Sequence, residues 1–97
     1  MDKLSFQLGS TVATPAAIAA LAQAGVEPSV LLDWHLAGKC DEMPIEDQVL
    51  NVEARITGAR IFSRYTLSTG VRPWVITEAK GPDGLRESTC VLLPIEY

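Results

Sequence analysis

The chain has 97 residues, 47% of them hydrophobic, and a mean hydropathy of +0.17, which is too apolar for a disordered chain. At this mass a folded chain buries about 64% of the surface exposed when unfolded, enough for one core with a modest margin and too little for two. Eight basic and twelve acidic residues give a formal charge of −4, which argues against a general nucleic-acid coating protein.

No apolar run follows Asp2 and Lys3, so no secretory leader is expected. Leu4 to Val26 contains Gln, Ser, Thr, Pro and Gly and reads as a lead-in and a packed helix, not a membrane span. Thr14-Pro15 starts that helix, with a hydroxyl N-cap and a proline at the first helical position. Ala16 to Ala24 are helix formers, Ile18 and Leu21 share a face, and Gly25 closes the element. Pro28 restarts the chain, Val30, Leu31, Trp34 and Leu36 make a second helix apolar, and Gly38 ends it. The short connection predicts a helical hairpin.

A loop from Lys39 to Met43 leads to Pro44 and a third helix. There Ile45, Val49, Val52 and Ile56 fall at the spacing of one helical face, with Glu46, Asp47 and Glu53 off that stripe and Gly58 as the stop. From Arg60 the period becomes two: Ile61, Ser63, Tyr65 and Leu67 point one way, and Arg60, Phe62, Arg64 and Thr66 the other. Ser68-Thr69-Gly70 is a hairpin turn, Trp74 to Thr77 a second strand, Lys80 to Glu87 an exposed turn, and Thr89 to Leu93 a third strand ended by Pro94. The expectation is a single α+β domain over 1–97, with two to three N-terminal helices packed on a three-stranded antiparallel meander.

Charge is sorted along this order. Glu27 to Glu53 holds seven acids against Lys39 alone, whereas Arg55 to Arg86 holds six bases against Glu78 and Asp83. The acidic helical half, with Asp33, Asp41, Glu42, Glu46, Asp47 and Glu53, is the candidate partner-binding surface and would steer a basic protein toward it. A solvated helix face with internal ion pairs is the competing reading. The basic half offers Arg60, Arg64 and Arg72 for direct nucleic-acid contact, a less favoured route.

His35 is the only histidine. With Arg60, Arg64, Tyr65, Glu78 and Thr89 it would make a metal-free ribonuclease site, His35 or Glu78 handling protons and the arginines holding phosphate. Against that stands a structural histidine beside Trp34. No CxxC is present, and Cys40 and Cys90 with one histidine leave a zinc site short of ligands, so no metal or cofactor is implied. Reduced thiols in a cytoplasmic setting are expected. Cys40 reads as an ordinary loop thiol, Asp41-Glu42 with Glu46-Asp47 as a solvated acidic loop, and Trp34 and Trp74 as core anchors.

Four segments carry a family likeness: Gln7-Leu8-Gly9 through Thr11 to Pro15; His35 to Gly38; Gly58 to Tyr65; and Trp74 to Ala79 with Leu92 to Tyr97. The chain resembles small bacterial proteins carried on plasmids and integrative elements, commonly labelled plasmid-related or type I restriction subunit proteins. It departs from them at Gly38-Lys39-Cys40-Asp41, where the family tends to have Gly-Asp-Trp-Gly, and at the longer turn Lys80 to Ser88. The resemblance implies an accessory protein of a mobile element that binds a host defence complex of the restriction or CRISPR kind and interferes with it, more a binder than an enzyme. The alternative resembles the barnase and RelE-type ribonucleases, which also place helices before an antiparallel sheet.

Overall fold

A computed structural model of the chain describes residues 6–39, 43 and 45–97. Proline and glycine punctuate the helices as their chemistry requires. Helix α1 (Pro15–Gln23) starts where the Thr14 hydroxyl accepts the Ala17 N–H at 3.1 Å, with Pro15 in the position that needs no donor. Helix α2 (Pro28–Ala37) ends at Gly38, whose φ of 79° supplies the left-handed cap. Helix α3 runs over Ile45–Thr57, with Glu46 and Asp47 in its first turn and Arg55 in its last, as the macrodipole favours.

The sheet has four strands and is mixed, so the fold is α+β, but it is not a three-stranded meander. A short strand β1 (Ser10–Ala13) precedes the helices. Strands β2 (Ile61–Arg64), β3 (Trp74–Thr77) and β4 (Ser88–Leu92) follow them, in the order β1-β4-β3-β2. The meander pairs antiparallel, Phe62 opposite Ile76 and Ile76 opposite Cys90; β1 adds in parallel, Val12 opposite Cys90. The β2 ladder is shorter than the period-two pattern, because Pro73 has no N–H to give. Pairing past it rests on Tyr65 N–H to Pro73 C=O at 3.1 Å and Leu67 N–H to Val71 C=O at 2.8 Å. After β4 a 3-10 turn at Pro94–Glu96 returns to α1, and the Glu96 carboxylate accepts from the Thr14 hydroxyl at 2.7 Å and from Leu93 N–H at 2.9 Å.

Helices α1 and α2 do not form a hairpin; their axes turn by 96°. Both contact the sheet, α1 at β4 and α2 at β3. Each buries one i, i+4 pair, Ala17 with Leu21 and Leu31 with His35. Ile18, expected to share the Leu21 face, is exposed. The buried cluster Ala17, Leu21, Leu31, Tyr65, Leu67, Val75 and Val91 fills one end of the interior. Each leucine fully buried there contributes about 1.5–3 kcal/mol. Trp34 packs at the rim of this cluster against Tyr65, while Trp74 lies on the other sheet face among Phe62 and Tyr97; both are half-buried.

Helix α3 behaves differently. It buries Asn51 and Ala54, and turns Ile45, Val49, Val52 and Ile56 to solvent, each between 45% and 76% exposed. The helix lies beside β2, and the Asn51 side-chain amide pairs with both backbone groups of Phe62, accepting the Phe62 N–H at 3.1 Å and donating to its C=O. With Tyr65 in bonding phase with β3, strand alternation points the Phe62 groups away from the sheet. Asn51 therefore occupies the open edge of β2 at Phe62.

Candidate functional site

The end of the interior opposite the apolar cluster gathers buried polar groups beside Ile61. Inward residues from three strands converge there under α2: Ser63, Thr77 and Thr89, with His35 descending onto them, and all four are buried. His35 Nδ1 lies 2.6 Å from Ser63 Oγ and Nε2 2.8 Å from Thr77 Oγ1. Thr77 Oγ1 is 2.7 Å from Thr89 Oγ1, which donates to the Leu8 carbonyl at 2.7 Å.

Valence fixes the direction of the chain from the Leu8 carbonyl to His35 Nε2, and a neutral ring then fixes the Ser63 end. A carbonyl only accepts, so the one Thr89 proton goes to Leu8. Thr89 must then accept, and the one Thr77 proton goes to Thr89. Thr77 in turn accepts from His35, so Nε2 carries the ring proton and Nδ1 accepts from the Ser63 hydroxyl. This needs a neutral ring. Burial, followed by repulsion from Arg55 and Arg86, lowers the His35 pKa from 6.5 to about 3.

A neutral ring with both nitrogens bonded and no solvent exposure does not exchange protons with a substrate at neutral pH. Of the other residues grouped with His35, Tyr65 is buried against Trp34. Arg60 is exposed and donates to the Tyr97 hydroxyl, Arg64 is half-buried at the end of β2, and Glu78 is exposed while its carbonyl accepts from Arg86. Thr89 belongs to the structural relay. Arg60 and Arg64 share the outer sheet face with Phe62, which meets Trp74 edge-on at 5.0 Å, while Arg72 is exposed in the hairpin loop.

Arg86 is the residue that the sequence hides. Only 3% exposed, it donates to three carbonyls: Ala59 at 2.7 Å, Glu78 at 3.0 Å and Ala54 at 2.9 Å. Two of these lie at or just beyond the C-terminal end of α3, so a cation caps the negative end of the helix. Arg55 reaches the other way, to the His35 carbonyl at 3.1 Å. Asn51, Arg55 and Arg86 are thus the polar attachments of α3. Nothing local marks them: Arg86 stands in a turn between Gly84 and Glu87.

The acidic residues fall on two helices. Asp33 is exposed on α2, and Glu46, Asp47 and Glu53 are exposed on α3. Glu46 and Glu53, seven apart, run along one border of the outward apolar stripe. Asp41, Glu42, Cys40 and Pro44 lie outside the described residues. Among the described residues no group of His, Cys, Asp and Glu is arranged to hold a metal, and no single helix is long and apolar enough to cross a membrane. Cys90 carries a free thiol whose pKa is raised, first by burial and then by the charges of Glu96 and Glu78.

No protein-family model, curated protein or solved structure matches the chain.

Proposed function

We propose that the protein acts by binding another protein, docking the outer face of α3 into an apolar groove rimmed by basic side chains. One observation carries this reading. An amphipathic helix of 13 residues is held by its polar side, and Ile45, Val49, Val52 and Ile56 are left outward beside Glu46 and Glu53. Exposed helical stripes of this kind are read by partners as i, i+4, i+7 anchors, with rim charges setting the encounter rate. The partner class is a nucleic-acid-handling defence complex of the host, whose basic grooves suit an acidic helix, and the protein interferes with it by occupying such a groove.

The test is affinity capture from host lysate with the wild type and with Val49→Ser/Ile56→Ser. The doublet leaves the fold unchanged, since both side chains are solvent-facing. It is expected to lower partner recovery by tenfold or more, whereas Glu46→Gln/Glu53→Gln slows association mainly at low salt. Equal recovery by wild type and doublet overturns the reading. So does a concentration-dependent dimer of the protein alone that the doublet abolishes, because the face then belongs to a second copy.

A further inference from the structure

Between the end of α3 and the turn at 80–86 lies a half-open cavity of about 240 Å³, lined by Phe6, Gln7, Arg55, Lys80, Gly84, Leu85 and Arg86. That is room for roughly eight waters at about 30 Å³ each, somewhat below the range typical of drug-sized ligands. Three of the chain's eight basic side chains line it, and the described lining contains no carboxylate.

Arg86 is the fixed element. Its three carbonyl acceptors hold the guanidinium in place without cancelling its charge, and its Nε–H meets no acceptor. A cation this deeply buried is costly unless an anion compensates it. The Arg55 and Arg86 guanidiniums lie over the same aromatic ring, 5.1 and 5.6 Å from the Phe6 centroid, so both cations reach one wall of the cavity. Their field reaches His35, whose proton both of them repel. Lys80 is exposed, and its backbone rather than its ammonium is tied to Gly58, through N–H to C=O at 2.8 Å.

We infer that this cavity is a binding site for a small phosphate-class oxyanion, with Arg86 and Arg55 at its back, Lys80 closing over its mouth, and Phe6 and Leu85 as its apolar walls. Several cationic donors from different directions match a compact dianion better than a flat carboxylate. The site is independent of the outer face of α3.

The probes are inorganic phosphate, a nucleoside 5′-monophosphate and the corresponding nucleoside, each titrated into isotope-labelled protein against sodium chloride at equal ionic strength. The backbone amides of Gln7, Gly84 and Leu85 are the readout. Saturable shifts with phosphate, absent with chloride, are expected. Lys80→Gln should weaken them roughly tenfold, the loss of one charge-assisted hydrogen bond, and Leu85→Glu, which places a carboxylate at the mouth, should abolish them. Both substitutions are at exposed side chains and leave the fold intact. Tighter binding of the monophosphate with none of the nucleoside identifies the ligand as a phosphoester; equal binding of phosphate and monophosphate identifies the free ion. The inference is overturned if chloride shifts the same amides equally, if neither phosphate species binds, or if both folded variants bind as the wild type does.

Discussion

The two ends of the interior are held together by different physics. Under α1 and the start of α2, six aliphatic side chains and the ring of Tyr65 pack mainly by van der Waals contact, which makes few directional demands. Under the end of α2 and beside α3, the buried polar groups are His35, Ser63, Thr77, Thr89, Asn51 and Arg86, and among the first four each bond presupposes the next. Apolar contacts tolerate exchange of similar volumes, whereas a satisfied polar chain is all-or-none. The contrast explains α3. A helix fastened by Asn51 and by Arg86 on its carbonyls has no need to bury its apolar stripe, so that stripe stays available.

The strongest way to break this contrast is a pair of substitutions one turn apart on α2. His35→Leu puts an apolar side chain in the site, leaving the Ser63 hydroxyl without its acceptor and the Thr77 oxygen without its donor, and is expected to cost about 3–5 kcal/mol in denaturant unfolding. Leu31→Met, at the apolar end, is expected to cost less than about 1.5 kcal/mol. Similar costs would mean that the two ends do not differ.

Acid sharpens the same contrast. With the folded His35 pKa near 3 and the unfolded value near 6.5, the unfolded chain binds the extra proton between them. This contribution is complete above pH 6.5, falls by about 1.4 kcal/mol for each pH unit lost toward 3, and is flat below that. Stability measured from pH 7 to 4.5 should show this slope in the wild type and lack it in His35→Leu. Parallel curves would show that the ring is not held neutral. A smaller and more local effect is expected at Asn51→Ala, about 1–3 kcal/mol. Hydrogen exchange should locate it: α3 amides lose protection while α1 and β4 keep theirs. Uniform loss would mean that α3 is not separately fastened.

Much of the backbone was readable because it is punctuated locally. Thr14-Pro15, Gly25, Pro28, Gly38 and Gly58 bound the helices for steric reasons that act within a few residues. The alternation of Ile61, Ser63 and Tyr65 inward needs only the strand period. Strand β1 was missed because its four residues have little apolar pattern, and its pairing with β4 joins positions far apart in the chain. The α3 stripe was legible as a face, but periodicity gives a direction relative to the helix and not relative to the sheet. His35 could be named from sequence, with a structural role as one of two readings, whereas its partners lie 28 and 42 residues away. Arg86 carried no signal, because its ligands are backbone carbonyls that any residue would offer.

Asn51 also bears on how the molecule keeps to itself. An edge strand with unpaired backbone groups is a template for another chain, and the side-chain amide at Phe62 imitates the strand that is not there. Removing α3 from β2 would bare a donor and an acceptor at the pitch of an incoming strand while the apolar cluster stayed intact. The helix whose outer face carries the proposed docking stripe is therefore also the cover of one sheet edge, and colloidal behaviour should fail before the core melts.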